Sequence, residues 1–129
     1  MNAALHRSYL YVPAHKARLV EKAYASEADA VVLDLEDAVP PAGKEAARRA
    51  AAEILSTTPP KPTYVRVNSP TSGLARDDVR AVARPGLAAV RLPKAEHPQQ
   101  VREAARWLEE AHSDAACRSS SNPRSESKP

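Results

Sequence analysis

Hydrophobic and polar positions along the chain form a repeating order of short apolar runs and longer helical patterns. Apolar or β-prone runs begin near residues 8, 30, 63 and 88, and proline or polar residues close each one. Between these runs, apolar residues recur at spacings of three and four, as on one face of an α-helix. The pattern predicts four strands, each followed by a helix, with helices over about 15–26, 44–55, 74–84 and 98–112.

Strands that alternate with helices in this way predict an α/β fold with a parallel sheet and right-handed crossovers. Charged or polar residues follow every predicted strand, as they do at the carboxyl-end face of a (β/α)8 barrel. A barrel of this type needs about 250 residues. The 129-residue chain is therefore predicted to hold the first four βα units of a truncated TIM barrel, over residues 1–112. The proline-rich stretch 57–62 is predicted to be a stiff link within this domain.

The stretch Ala30–Pro41, AVVLDLEDAVPP, is the most informative part of the sequence. It begins as a continuous apolar run, which is typical of a buried parallel strand, and ends in a cluster of three acids. Ligands of α/β folds bind at this end of the strands, so Asp34, Glu36 and Asp37 are candidate site residues. The alternative is that they are solvated loop acids that cap the next helix.

Composition excludes several classes of function. The chain has no Phe, one Trp and four Tyr, and its net charge of +3 comes from basic residues scattered among 16 acids, so nucleic-acid binding is not expected. With only 3 glycines, a glycine-based phosphate loop is not expected either. The single Cys117 fits a reducing compartment, and no apolar run is long enough for a membrane span or a signal peptide. We expect a cytoplasmic protein without a membrane partner.

The composition changes after Ala116 to CRSSSNPRSESKP, and residues 113–129 are predicted to form a disordered tail. An ordinary solvated tail explains this composition. A second hypothesis is a frameshift: with one allowed choice of codons, the frame one base upstream encodes LQVVVESPERVKA, an apolar strand that ends in a carboxylate. The nucleotide sequence across and beyond codon 116 distinguishes the two.

Five segments of the chain resemble motifs of the citrate lyase beta-subunit family, which includes malyl-CoA and citramalyl-CoA lyases within the HpcH/HpaI aldolase superfamily. The segments are RSYLYVPA (Arg7–Ala14), VVLDLEDAV (Val31–Val39), KEAAR (Lys44–Arg48), VRVNSPTSGL (Val65–Leu74) and RLPKAE (Arg91–Glu96). Their order and spacing agree with the family over residues 7 to about 112. The combination of LDLED, VRVN and LPK is specific.

The resemblance implies a TIM barrel, usually a homo-oligomer, that cleaves or forms a carbon–carbon bond beside a carbonyl with Mg²⁺. The implied substrates are hydroxy acids carried as CoA or acyl-carrier thioesters. The resemblance also implies that Arg66 binds the carboxylate or carbonyl of the acid, a role that suits a planar guanidinium. The alternative for Arg66 is an ion pair with the acid cluster on the neighbouring strand, and both can hold together.

Further site residues follow from the same resemblance. Tyr11 and Arg18 match positions that contact the thioester ligand, and Lys22 is a candidate phosphate contact; their alternatives are a half-buried aromatic ring and ordinary charges on a helix surface. Glu36 and Asp37 match the acids around the substrate and the metal-bound water.

Two other charged positions carry expectations from the resemblance. Lys94 is expected to support the acidic centre or, equally, to form a salt bridge with Glu36 or Asp37. Asp34 is assigned a structural role.

The chain departs from the family pattern in two places. Ala14 stands where the family usually has glycine, and its Cβ is expected to crowd the approach of a ligand to the backbone. The two Mg²⁺-binding carboxylates of the family come from the fifth and sixth strands, which this sequence does not reach, so no direct metal ligand is expected here. Three functions therefore remain: a lyase, a half-barrel remnant that needs a partner chain, and a thioester-binding module without chemistry.

Overall fold

The computed structural model describes the backbone of residues 6–121 and the side chains of residues 6–114. Four strands alternate with four helices along this part of the chain, as the sequence predicts. The strands are β1 (Tyr9–Pro13), β2 (Ala30–Asp34), β3 (Thr63–Arg66) and β4 (Leu87–Arg91). The helices are α1 (Ala17–Ala25), α2 (Lys44–Leu55), α3 (Ala75–Val82) and α4 (Pro98–Ser121), with a 3-10 turn at Pro41–Gly43 before α2.

All four strands pair in parallel, in the order β1-β2-β3-β4, which confirms the α/β class and the parallel pairing. Every residue of β2 is buried, as expected for an apolar run with a neighbour on each side. The register places Asp34 beside Arg66, and Arg66 beside Arg91. The last residues of three adjacent strands therefore lie side by side at the carboxyl end of the sheet.

One face of the sheet forms the hydrophobic core with the helices. Alternate strand residues, such as Leu33 and Val65, belong to a single buried cluster to which α1, α2 and α3 contribute and against which α4 packs. In α2 the buried residues Ala47, Ala51 and Leu55 recur every four positions. Their spacing places them on one side of the helix, and the small alanines allow the helix to approach the sheet closely.

The opposite face of the sheet carries tyrosine and arginine from β1, β3 and β4, in register with Ala30, Val32 and Asp34 of β2. Because side chains alternate along a strand, Tyr9, Tyr11, Tyr64, Arg66 and Arg91 point away from the core cluster. Tyr11 remains 42% exposed. We call this set of five residues the tyrosine–arginine face.

Gly86 in the turn before β4 is expected to be sensitive to any side chain. Its N–H donates to the carbonyl of Leu55 at 2.9 Å, and a Cβ at this position would lie 2.7 Å from that oxygen and 2.8 Å from Cδ of Pro59. Gly86→Ala should lower the free energy of unfolding by about 1–3 kcal/mol because backbone must move. Gly43→Ala is the control in urea unfolding. Its Cβ would be 3.4 Å from Val39, an ordinary contact, so the free energy of unfolding should change little. Equal effects of the two substitutions would show that Gly86 is not tightly packed.

Helix α4 extends further than the sequence pattern predicts. The apolar spacing ends near 112, but the helical backbone continues to Ser121, into the stretch 113–129 that is predicted to be disordered. Ala115 and Ala116 favour continuation of the helix, and Arg80 on α3 reaches Asp114 at 3.4 Å. Residues 122–129 lie outside the described part, so the disorder expected for them stays a prediction. Within 6–121, no helix has the length and apolar character required to cross a membrane.

Candidate functional site

Asp34 ends β2 and is bound from the neighbouring strand by Arg66. The carboxylate is 1% exposed and accepts hydrogen bonds from Arg66 Nε to Oδ1 at 3.0 Å and from Nη2 to Oδ2 at 2.6 Å. This bidentate pair is the ion pair that the sequence offered as the alternative role of Arg66. It occupies one edge of the guanidinium and fixes the plane of the side chain.

Asp34 also orders the turn that carries the other two acids. Its Oδ1 accepts the N–H of Glu36 at 2.8 Å, and its Oδ2 accepts the N–H of Ala38 at 3.1 Å. Burial by itself would raise the pKa of Asp34, but the hydrogen bonds from Arg66 and from these two amides favour the carboxylate form. The pKa therefore lies below its ordinary value. These contacts give Asp34 a structural task, as the sequence proposed.

Glu36 is buried between two cations at the end of the sheet. Lys94 Nζ contacts Oε2, and Arg66 Nε lies 3.6 Å from Oε1. Within the described part of the chain, the buried Oε1 has no hydrogen-bond partner. Asp37 is 65% exposed and lies 3.3 Å from the same Lys94 ammonium. Lys94 thus makes the salt bridges that the sequence suggested, and these hydrogen bonds raise its pKa.

Lys94 adopts a backbone conformation that is uncommon for a residue with a side chain. Its φ of 55° lies in the left-handed region. It lies three residues after the end of β4, following Pro93, and its ammonium contacts Glu36. Local strain at this position is consistent with the salt bridges that hold it there.

Lys44 is a site-forming residue that the sequence pattern did not single out. Its ammonium donates to the carbonyl of Leu35 at 3.1 Å and to that of Glu36 at 2.6 Å. It therefore binds the backbone of the acidic turn from the first residue of α2. Its place in the KEAAR motif was the one sequence feature that pointed to Lys44. Its contact with the acidic turn is visible only in the folded chain.

Lys44→Met is expected to lower the free energy of unfolding by about 1–2 kcal/mol, because two backbone carbonyls lose charged hydrogen bonds near the surface. Lys16→Met replaces an exposed lysine and should change the free energy of unfolding by less than about 0.5 kcal/mol in the same urea titration. If the two variants unfold at the same urea concentration, Lys44 does not hold the turn.

Tyr11 joins the same group of residues from β1. The guanidinium carbon of Arg66 lies 4.9 Å from the centre of the Tyr11 ring, within the range of a cation–π contact. Arg66 is therefore held by Asp34 along one edge and by Tyr11 on one face. Its side chain is still 25% exposed, and Nη1 makes no hydrogen bond with residues 6–114. The structure thus brings together Tyr11, Glu36 and Arg66 with Lys94 and Asp37 at the rim. These five are all residues that the sequence predicted.

Arg18 and Lys22 lie in a different place. They line an open cleft of about 630 Å³ along α1, together with His15, Lys16 and Leu19. Tyr11 and Arg66 do not line this cleft. The residues predicted to contact a thioester are therefore divided between the tyrosine–arginine face and a basic cleft on α1.

Ala14, which departs from the family pattern, fits into the core. Its side chain is buried and belongs to the hydrophobic cluster, and its N–H donates to the carbonyl of Asp34 at 3.2 Å. Positive φ among non-glycine residues of the described part occurs at Lys94 alone, so the backbone at Ala14 does not require glycine. The methyl group is directed into protein rather than into the rim.

The acids of the rim do not form a magnesium site by themselves. Among the described residues there is no group of three or more His, Cys, Asp or Glu side chains placed to hold a metal ion. Asp34 and Glu36 are bound to Arg66 and Lys94, whereas Mg²⁺ requires oxygen ligands in a nearly octahedral arrangement. The residues present therefore do not fit the metal without further ligands.

A second buried carboxylate fixes the end of β3. Asp78 on α3 is 1% exposed and accepts the backbone N–H of Asn68 at 2.9 Å, its side-chain amide at 2.7 Å and Arg48 Nε at 2.8 Å. This contact joins α2, α3 and the loop after β3, two residues beyond Arg66. The sequence shows Arg48 and Asn68 within recognisable motifs but gives no sign that Asp78 connects them.

Comparison with known proteins shows which family the chain resembles. The family model for HpcH/HpaI aldolase/citrate lyase matches residues 7–124. A citrate lyase subunit beta-like protein of Deinococcus radiodurans is 40% identical over 118 residues, which is 85% of this chain and 41% of the relative. A (3S)-malyl-CoA thioesterase of Cereibacter sphaeroides is 40% identical over 94 residues, which is 68% of this chain and 32% of the relative.

Solved structures show the same similarity. CitE of Mycobacterium tuberculosis in complex with magnesium, acetoacetate and coenzyme A is 40% identical with a TM-score of 0.67, and the match covers 81% of this chain and 38% of that one. The M. tuberculosis citrate lyase beta subunit complexed with oxaloacetate and magnesium has the same TM-score, with 46% of its chain covered. The chain thus spans less than half the length of these relatives. Over the part that it spans, it belongs to the HpcH/HpaI aldolase/citrate lyase family.

Proposed function

We propose that the protein is a carbon–carbon lyase of the aldolase type. Its substrates are hydroxy-acid thioesters of the citrate, malyl or citramalyl class, carried on coenzyme A or an acyl-carrier protein. Its four βα units are the first half of a (β/α)8 barrel, and the reaction takes place at the carboxyl ends of the strands. The family assignment and the magnesium, oxaloacetate and coenzyme A found in similar structures support this proposal.

The observation that carries the proposal is the arrangement of Arg66. Asp34 and Tyr11 hold its guanidinium along one edge and one face, so the side chain is positioned before any ligand arrives. Nη1 remains for an incoming carboxylate or carbonyl oxygen. A charged, planar donor fixed in this way suits the acid part of the substrate and the negative charge that develops in the reaction.

The other rim residues surround this donor. Under this proposal Glu36 and Asp37 contact polar groups of the substrate, and Lys94, which forms salt bridges with both, balances their charge. The basic cleft with Arg18 and Lys22 is suited to the phosphates of a coenzyme A thioester. Together these residues position the acid at one end of the ligand and its phosphates at the other.

Magnesium belongs to the proposal on family grounds only, because the described acids do not form a site for it. When bound, a divalent ion of this kind polarises a carbonyl and stabilises an enolate. The residues of this chain contribute binding and orientation of the acid, through Arg66, and compensation of charge at the rim.

The test is cleavage of malyl-CoA or citramalyl-CoA by the purified 129-residue protein, with and without Mg²⁺, followed by chromatography of the oxo acid and acetyl-CoA. The proposal predicts that both products appear in equal amounts and only with the metal. Free coenzyme A and an intact hydroxy acid would instead indicate thioester hydrolysis, and would overturn the lyase assignment.

A second candidate is a non-catalytic half-barrel that acts only with a partner chain. It is favoured by the strand order, because β1 and β4 each have one neighbour among the described strands, and such edges favour association. Under this proposal the protein alone gives no products but binds the thioester or another chain. Turnover by the protein alone would exclude it.

A further inference from the structure

The KEAAR motif (Lys44–Arg48) begins α2, and the stability of the helix alone does not account for its two cations. Lys44 is the first residue of the helix, where a positive charge opposes the helix dipole, and Gly43 before it makes no capping hydrogen bond with a side chain. Lys44 and Arg48 are four residues apart, so two like charges lie on the same side of the helix, which is also unfavourable. The contacts of the two side chains with other segments therefore indicate what they do.

Lys44 holds the main chain of Glu36 from one side, and Asp34 holds it from the other. The carbonyl of Glu36 accepts hydrogen bonds from Lys44 Nζ at 2.6 Å and from the N–H of Val39 at 3.1 Å. The N–H of Glu36 donates to Oδ1 of Asp34 at 2.8 Å. Both polar groups of the Glu36 main chain are thus bound, so the position of its side chain at the rim depends on Lys44 as well as on Asp34.

Arg48 reaches the loop after β3 through Asp78. Its Nε donates to Oδ1 of Asp78 at 2.8 Å, and Oδ2 of the same carboxylate accepts both the backbone N–H and the side-chain amide of Asn68. Asn68 is buried and lies two residues after Arg66. One turn of α2 therefore holds the acidic turn through Lys44 and the segment that follows β3 through Arg48.

The two segments held by α2 also contact each other. The N–H of Leu35 donates to the carbonyl of Arg66 at 2.9 Å, and Nε of Arg66 lies 3.6 Å from Oε1 of Glu36. A displacement of either segment therefore changes the distance between the acid and the guanidinium. All of these atoms belong to β2, α2, β3, α3 and the loops that join them.

We propose that Lys44 and Arg48 are positioning residues that set the geometry between Glu36 and Arg66 through the main chain. The inference rests on the proposed function in one respect, because it takes Glu36 and Arg66 as groups that contact the substrate. A misplacement of about 1 Å caused by a distant substitution can lower a reaction rate by about a hundredfold. Loss of either cation should therefore impair the reaction without the loss of a contact to the substrate.

The first measurement is ¹H–¹⁵N NMR of the full 129-residue protein, with the Arg66 Nε–H signal assigned through its loss in Arg66→Lys. We expect this signal to shift in Lys44→Met and in Arg48→Met. It should stay in place in Arg49→Met, which removes an exposed arginine of the same helix. Lys44→Arg keeps charged donors for the two carbonyls and should restore most of the wild-type position. An Arg66 signal that is unchanged in both methionine variants, each shown to be folded by far-UV circular dichroism, would overturn the proposal.

The second measurement is the steady-state kinetics of malyl-CoA or citramalyl-CoA cleavage with Mg²⁺. Lys44→Met and Arg48→Met should each lower kcat by about tenfold or more and leave KM within about twofold of the wild-type value, because the geometry of the reacting groups changes and the binding contacts remain. Arg49→Met should match the wild type in both constants. A rise in KM without a fall in kcat would overturn the positioning role. Absence of turnover by the wild type would contradict the lyase proposal instead, and the Arg66 signal would then decide the positioning role by itself.

Discussion

Asp34→Ala is expected to lower the free energy of unfolding by about 3–5 kcal/mol, a large part of the stability of a small domain. The substitution leaves the half-buried Arg66 without its counter-ion and removes the acceptor of two backbone amides in the acidic turn. Loss of one partner from a buried pair costs more than the pair contributes, because the remaining charge stays desolvated.

Equilibrium unfolding in urea measures this effect, with Asp37→Ala as the matched control. Asp37 belongs to the same acid cluster but is 65% exposed, so its removal should change the free energy of unfolding by less than about 0.5 kcal/mol. Asp34→Asn keeps the shape of the side chain but removes its charge. Its loss of unfolding free energy should therefore lie between the losses of the two alanine variants. Similar losses in the Asp34→Ala and Asp37→Ala variants would contradict the assignment of Asp34 as the structural member of the cluster.

The contribution of Asp34 should also depend on pH. Its pKa in the folded protein lies below the ordinary value of 3.8, so the unfolded chain binds the proton more readily. The stabilisation is therefore fully present above about pH 4 and is lost as the pH falls through the folded pKa. The difference in unfolding free energy between wild type and Asp34→Asn should stay constant near neutral pH and narrow below about pH 4. If the difference in unfolding free energy stayed constant down to pH 2, this would contradict a lowered pKa of Asp34.

Asp78→Ala is expected to lower the free energy of unfolding by about 2–4 kcal/mol, because it leaves donors of Arg48 and Asn68 without acceptors in a buried position. The neighbouring Asp77 provides a close control, since it lies in the same helical turn but is exposed. Asp77→Ala should change stability by less than about 0.5 kcal/mol.

Amide hydrogen exchange separates a local from a general effect of Asp78→Ala. The contact fixes the loop that follows β3, so the Asn68 amide should lose protection to a greater extent than the amides of β1. Uniform loss of protection over all strands would mean that Asp78 stabilises the core in general and does not specifically hold this loop.

Periodicity predicted the elements of the sheet well because the physical signal is local. The apolar run of β2 and its acidic end needed no knowledge of distant residues, and the parallel pairing followed from the alternation of strands and helices. The ion pair of Arg66 was also foreseen as an alternative, because two adjacent parallel strands place their carboxyl ends together.

Contacts between distant segments were not predictable in the same way. Lys44 and Asp78 act on backbone atoms of turns that precede them in the chain, and their side chains resemble any other surface charge in the sequence. Arg91 stands in the sequence only as part of the RLPKAE motif, and its contacts with Tyr9, Tyr11 and Tyr64 come from strands that are distant along the chain. The length of α4 was missed because apolar spacing stops near 112, whereas the backbone continues as helix.

The most direct test of the lyase proposal compares wild-type protein with Arg66→Lys in the Mg²⁺-dependent cleavage of malyl-CoA or citramalyl-CoA. Lysine keeps the charge but loses the planar fork that Asp34 and Tyr11 hold in place. With variants shown to be folded, the proposal predicts that release of oxo acid falls by at least about tenfold, while Arg106→Lys leaves it unchanged. Release of oxo acid at equal rates by wild type and Arg66→Lys, or none from the wild type, would contradict it.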